Sequence, residues 1–498
     1  MHSCELRRSK FGAVHFLLIF FPFINILLHI GVDCMFENYI DEIKEQIISS
    51  TCELIKIPSI NAESNNPSMP FGEECNNALE YVLDLANSLG FKTKNIDGYC
   101  GYIEFGEGEE LMGIIGHLDV VPEGENWTYP PFSATIANGN IYGRGAIDDK
   151  GPVIASLYAM KVVMDNCKIK KRIRLILGLN EERDWKCIEY YKLHEEIPNF
   201  GFSPDADFPC IYAEKSLLNV HLSTNYNTND NIKIISIDYN NNAMNVVPKF
   251  CKVKLNINND VNIDECLNNL TNLIKNHNFN ITVKKGNDNY IILESVGVSA
   301  HSAHPDLGIN AISNIIIILD ELLKTYNINI PLLSMFCRYI HTQYNGDALN
   351  INSPDESGKL TLNVAKFFLE NDTLGISMNL RIPIHTSIDT VKNKFNNIFE
   401  NSHITINFNG EKNALYIPKD HHLVTTLCSI FNEITGKNEA PIAIGGATYA
   451  RAFPNCISFG ANMPKEEDMC HKVDEFISIN NLILATNIYA TAIYKLCK

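Results

Sequence analysis

The sequence predicts an α/β domain, a mixed sheet flanked by helices, interrupted by a smaller inserted α+β domain. Two apolar runs, Leu111–Ile115 and Ile173–Leu179, read as strands buried on both faces, which requires helices above and below their sheet. Helical and strand-like segments alternate up to about residue 216, and the alternation returns after Pro383. Between those stretches the texture shifts to a succession of strands with few helices. The expected organisation is therefore an extension over 1–34, a first segment of the larger domain over 35–216, an insert over 217–383, and a second segment over 384–498.

The elements can be justified in order. Phe36, Tyr39, Ile40, Ile43, Ile47, Leu54 and Ile55 recur at helical spacing, and Pro58 ends that helix. A second helix runs from about Glu73 to Leu89, with Gly90 as its stop. Strands follow near Phe91–Lys94, Tyr102–Phe105 and Leu111–Ile115, and Pro152–Met164 reads as a helix. In the insert, strands are expected at Val220–Ser223, Ile232–Ile237, Lys252–Ile257, Tyr290–Val298, Lys359–Phe368 and Gly375–Ile382, with helices at Asp264–Asn276 and Ile309–Lys324. Beyond Pro383 come helix Thr390–Glu400, strand Ile404–Asn409, helix His421–Ile434, strand Ile457–Gly460 and helix Ile479–Lys495.

Composition narrows the class. At 498 residues the chain is too long for one core, and 45% apolar with 20% charged residues is ordinary for a globular protein. A net charge of −17 gives nucleic-acid binding no electrostatic support. The 15 cysteines are scattered and odd in number, which fits a reducing compartment better than a disulfide framework or a zinc ribbon. Arg7, Arg8 and Lys10 precede Phe11–Val32, a run of 22 residues without Asp, Glu, Lys or Arg, as in a signal peptide or membrane anchor. No small-residue cleavage site follows, and Met35 opens a clean amphipathic helix. The expected location is the cytoplasm with a start at Met35; the alternative is membrane anchoring through the hydrophobic segment.

The chemistry begins at Gly116-His117-Leu118-Asp119, the exit of a buried strand. A neutral imidazole can bind a metal while a nearby carboxylate accepts its other N–H. Alone the triplet is weak, but Asp148, Glu181, Glu182, Asp205 and His471 follow, several at the ends of expected strands, where α/β sheets gather their chemistry. Imidazoles and carboxylates without cysteine suit zinc or manganese. They exceed the needs of one tetrahedral ion and would suit two ions sharing a carboxylate and a water. Of two adjacent glutamates, one can bind metal and the other can take a proton from that water. Cys470, beside His471, is a thiol alternative without an accompanying oxyanion loop.

These stretches, with Gly143–Gly151 and Phe202-Ser203-Pro204-Asp205-Ala206-Asp207-Phe208-Pro209, resemble the co-catalytic zinc peptidases related to aminoacylase and carboxypeptidase G. The Ser-Pro-Asp-Ala-Asp-Phe-Pro segment points to their bacterial dipeptidase branch, which includes Xaa-His (carnosine-type) dipeptidases. The resemblance implies a phosphorylase/hydrolase-like zinc peptidase core with an inserted α+β lid. It implies that Asp148 bridges two Zn2+ ions (Mn2+ as possible substitute), with His117 and Asp205 on one and Glu182 and His471 on the other. Asp119 would support His117, Glu181 would be the general base, and the Asp148–Asp149 peptide would be cis. Asp207 is the competitor to Asp205.

The resemblance extends to the insert. Gly297-Val298-Ser299-Ala300-His301 matches the family's lid histidine segment, placing His301 rather than His304 at the oxyanion. Asn245 and Arg381 match positions that bind the substrate's backbone or terminal carboxylate, work for which a planar guanidinium is suited. Gly445 lies in a glycine-rich turn near that carboxylate. Ile444 and Ala447 depart from the usual glycines there, and Met463–Met469 is unusually charged. The implied function is a metal-dependent dipeptidase acting through a metal-bridging hydroxide on short peptides with a free N-terminus, Xaa-His or β-Ala dipeptides among them. The alternatives are an N-acyl-amino-acid deacylase on the same scaffold and a non-catalytic metal- or peptide-binding homologue. The implied partner is the dipeptide substrate; oligomeric state is not legible.

Overall fold

The computed structural model describes residues 36–228, 230–287 and 289–498. The hydrophobic extension 1–34 and the proposed start at Met35 lie outside the described residues. Among the described residues no helix is long and apolar enough to cross a membrane. The chain forms two compact units. The first comprises the described residues to Tyr212 with Ile417–Ile442 and Thr448–Lys498; the second comprises Ala213–Tyr416 and Ala443–Ala447.

In the first unit the sheet order is Lys92–Ile96, Cys100–Phe105, Arg172–Gly178, Leu111–His117, Phe200–Ser203, Cys456–Ser458. The last four run parallel to one another, whereas Cys100–Phe105 pairs antiparallel with both Lys92–Ile96 and Arg172–Gly178, so the sheet is mixed as expected. Leu111–His117 is buried at every position, as its apolar run requires. Helix Lys150–Asn166 is buried nearly all round because it packs against helices Glu37–Ile55 and Ile479–Cys497 as well as the sheet. Its first turn lies under the strand exit at Gly116, where an added Cβ would come within 2.5 Å of Asp149 Oδ2 and 2.6 Å of Val153 Cγ2. Only glycine lets strand and helix approach so closely.

The second unit contains two four-stranded antiparallel sheets. One orders Thr361–Glu370, Thr373–Ile382, Ser216–Asn225 and Thr405–Lys412; the other orders Ile232–Asp238, Phe250–Ile257, Tyr290–Val296 and Ile281–Lys285. Helices Ile263–His277 and Ala311–Thr325 bury their apolar faces in the same core. Strand Ile281–Lys285 and helices Lys186–His194 and Pro331–Tyr339 were not anticipated from the sequence.

The sequence boundary at residue 383 is displaced. Helix Ile388–Phe399 and strand Thr405–Lys412, expected in the second segment of the larger domain, belong to the second unit. The strand pairs along Ser216–Asn225, and Val391, Phe395 and Phe399 enter that unit's core. Helix–strand alternation is common to both architectures and does not say which sheet a strand joins. Residues 443–447, including Gly445, likewise fall in the second unit.

Candidate active site

Three parallel strands deliver the first unit's site residues from their carboxyl ends. Leu111–His117 ends on His117, Arg172–Gly178 leads to Glu181 and Glu182, and Phe200–Ser203 leads to Asp205. The turn before helix Lys150–Asn166 supplies Asp148, whose peptide bond to Asp149 is cis. His471 arrives from the C-terminal segment in the left-handed region, φ 63°, an uncommon conformation held by its surroundings.

The geometry turns on Asp148. Its Oδ1 lies 2.9 Å from His117 Nε2 and its Oδ2 lies 3.0 Å from His471 Nε2. Beyond them, Asp205 Oδ2 is 3.5 Å from His117 Nε2 and Glu182 Oε1 is 2.9 Å from His471 Nε2. Two potential metal clusters result, His117–Asp148–Asp205 and Asp148–Glu182–His471, joined through one carboxylate. His117, Asp119 and Asp148 are buried, whereas the His471 side chain is half exposed. The carboxylates of Asp148, Glu182 and Asp205 face imidazoles and no lysine or arginine among the described residues. Such an excess of buried negative charge is costly without cations, so the donor set fits divalent metals.

Asp119 plays its part differently from the sequence expectation. His117 Nδ1 lies 2.9 Å from the Asp119 backbone carbonyl, while the carboxylate Oδ1 is 3.7 Å away. That carboxylate accepts the backbone N–H groups of Glu181 at 3.0 Å and Glu182 at 3.2 Å, fixing the strand exit that presents both glutamates. Burial raises Asp119 above the ordinary carboxylate range, opposed by His117 and these N–H groups.

The two glutamates differ. Glu182 pairs with His471, whereas Glu181 joins a cluster with His117 and Glu182 but makes no ion pair among the described residues. Burial pushes Glu181 well above the usual range; His117 opposes this, and the neighbouring carboxylates of Glu182, Asp205 and Asp148 reinforce it. Asp207 lies outside the clusters, in a short strand beside Ala461–Asn462. Burial raises the Cys470 thiol well above its ordinary value, the opposite of what a thiolate nucleophile needs.

In the second unit, Asn245, His301, Arg381 and Gly445 also converge. Buried Arg381 donates from Nη1 to the Gly445 carbonyl at 2.7 Å, from Nη2 to Ser302 Oγ at 3.0 Å and from Nε to Asn379 Oδ1 at 3.0 Å. Ser302 N–H donates to the Asn245 carbonyl, and Val246 bridges His301. Ser302 and Asn379 orient the guanidinium and were not read from the sequence. Nor were Arg144 and Glu475, a buried ion pair behind Asp148 and His471. The Arg144 signal was present in the Gly143–Gly151 motif, but Glu475 carries none of its own.

Residues 113–495 match the sequence profile of peptidase family M20/M25/M40. The chain belongs to this family. It is a metallopeptidase and uses divalent metal. It is 36% identical over 469 residues to "Putative dipeptidase YtjP" of Bacillus subtilis, covering 91% of this chain and 98% of that protein. It is 31% identical over 477 residues to a "Putative dipeptidase" of Staphylococcus epidermidis, covering 93% and 99%. Its fold is similar to human carnosine dipeptidase 1, with a TM-score of 0.54 at 15% identity over 93% of this chain and 98% of that one. Aminoacylhistidine dipeptidase from Vibrio alginolyticus gives a TM-score of 0.51 at 12% identity over 90% and 96%.

Proposed function

We propose that this metallopeptidase is a dipeptidase with two Zn2+ ions, His117 and Asp205 holding one, Glu182 and His471 the other, and Asp148 both. The observation that carries the metal assignment is Asp148, whose two oxygens face different imidazoles, each next to a further carboxylate. The dipeptidase names of relatives spanning nearly the whole chain support the substrate class. Bound zinc supplies Lewis acidity, polarising the scissile carbonyl and acidifying water.

Glu181 is the base in this reading. It takes a proton from the attacking water as oxygen bonds to the carbonyl carbon, and delivers it to the amide nitrogen as the C–N bond breaks. Its lack of an ion-pair partner among the described residues leaves its carboxylate available for both transfers. Asp119 positions the glutamates and, through its carbonyl, His117. His301 donates to the oxyanion, Arg381 and Asn245 receive the substrate's terminal carboxylate and backbone, and Gly445 shapes that turn. Xaa-His and β-Ala dipeptides are the proposed substrates, and the cytoplasm the proposed location.

Assaying Ala- and β-Ala-containing dipeptides beside their N-acetylated counterparts, with zinc and with manganese, tests the reading. Preference for free N-termini is expected. Preference for the acetylated compounds would establish the deacylase alternative instead, and hydrolysis of neither would sink both.

A further inference from the structure

Asparagines stand directly opposite one another along a single rung of the second unit's first sheet. Asn363 faces Asn379, Asn379 faces Asn219 and Asn219 faces Asn409, so the rung crosses all four strands. Opposed residues of paired strands share a face. Asparagine is depleted in strands, because its carboxamide competes for backbone hydrogen bonds. An unbroken row of it therefore has to be held by bonds of its own.

Those bonds run in one direction, towards Arg381. Buried Asn379 accepts at Oδ1 from Arg381 Nε at 3.0 Å and from Ser302 Oγ at 2.9 Å. Its Nδ2 donates to Asn219 Oδ1 at 2.8 Å, and Asn219 Nδ2 donates to Asn409 Oδ1 at 3.1 Å. Were the Asn379 amide turned over, its Nδ2 would meet the guanidinium N–H and its oxygen would meet that of Asn219. Asn219 thus holds the amide in the sense that Arg381 needs. The backbone makes room for it: the register of Thr405–Lys412 slips between Leu217 and Asn219, and Gly410 there has φ 63°. A Cβ on Gly410 would come within 2.5 Å of Asn219 Nδ2. At the far end of the rung, Asn363 Nδ2 donates to the carbonyls of Met244 at 3.1 Å and Val246 at 2.8 Å, on either side of Asn245. Both ends of the row therefore serve the residues read as receiving the substrate.

We propose that Asn219 is a positioning residue for the substrate's carboxyl end. It acts through Asn379, whose amide it orients so that the Arg381 guanidinium keeps its plane and direction. The inference rests on the reading of Arg381 as the group that receives the terminal carboxylate.

Steady-state kinetics of the full metal-loaded chain on an Ala-containing dipeptide and on its C-terminal amide are the test. Asn219→Leu removes the acceptor and excludes a replacement water. It should raise KM for the dipeptide about three- to tenfold, one hydrogen bond expressed as affinity. The kcat should stay within about twofold, the signature of lost binding and not of lost chemistry. The amide, which lacks the carboxylate, should be hydrolysed as by wild type, which also shows that the variant is folded. Asn219→Asp keeps an oxygen towards Asn379 and should restore the wild-type KM. Asn219→Ala, which leaves the bulge uncrowded, repeats the measurement if the leucine does not fold. Wild-type KM in the Leu and Ala variants, while Arg381→Lys still separates dipeptide from amide, would overturn the proposal and leave the carboxylate reading standing. So would a loss shared by the amide, or one that Asn219→Asp does not restore. An Arg381→Lys loss shared by the amide would overturn the carboxylate reading and this inference with it.

Discussion

Arg144 and Glu475 form a buried ion pair, Nη1 to Oε2 at 2.6 Å, that ties together the two segments presenting Asp148 and His471. The other carboxylate oxygen of Glu475 accepts the backbone N–H of Ile147 at 3.1 Å and of Asp148 at 3.3 Å. Arg144 in turn donates to the carbonyls of His471 at 3.4 Å and Lys472 at 3.2 Å. One pair thus holds the shared carboxylate and one imidazole in mutual register.

Replacing Glu475 with Gln should preserve much of that hydrogen bonding, whereas Ala leaves the buried Arg144 charge without its carboxylate. Removing one member of a buried pair costs about 3–5 kcal/mol. Loss of outer-shell support weakens metal binding about 10–100-fold. Competitive chelator titration should rank wild type, Gln and Ala in that order; equal metal affinity in all three would remove the pair from any role in shaping the site.

Glu181→Ala should lower kcat by about 10²–10⁴-fold, the usual range for a general acid–base group. Metal content should stay near wild type, because Glu182 pairs with His471 and Glu181 does not. Metal analysis of the purified variant decides the matter: loss of an ion would exchange the roles of the two glutamates.

Arg381→Lys keeps the charge but loses the planar fork that reaches Gly445, Ser302 and Asn379. We expect kcat/KM for dipeptides to fall about tenfold or more, on the scale of a charged hydrogen bond. A dipeptide amide, lacking the terminal carboxylate, should be hydrolysed equally by the variant and wild type. A parallel loss on the amide would place Arg381 outside carboxylate binding.

Gly116→Ala drives a methyl into Asp149 Oδ2 and Val153 Cγ2. Overpacking of this kind costs about 1–3 kcal/mol. Because Asp149 Oδ2 also accepts the His117 backbone N–H at 3.1 Å, the displaced carboxylate would disturb a proposed metal ligand. Urea denaturation and metal titration should therefore worsen together; a stability loss with unchanged metal affinity would separate packing from the site.

Dialysis against a strong chelator should abolish hydrolysis, and zinc or manganese should restore it. Restoration should be complete only near two equivalents of metal per chain, since Asp148 faces both clusters. Full activity at one equivalent would retire the second site.

By itself the sequence located the candidate donors and the larger domain's strand-and-helix pattern. His117, Glu181, Glu182 and Asp205 follow buried strands whose apolar runs are local features, and Asp148 sits in a motif that is also local. Tertiary structure alone decided which groups meet. Asp119 turns its carbonyl to His117 and its carboxylate to the glutamates, and Glu475 backs Asp148. It also decided that Thr405–Lys412 joins the sheet of Ser216–Asn225. The physical reason is common to all of these. A strand or helix announces itself through the spacing of its own side chains, but a hydrogen bond between residues hundreds of positions apart leaves no periodic trace in either segment.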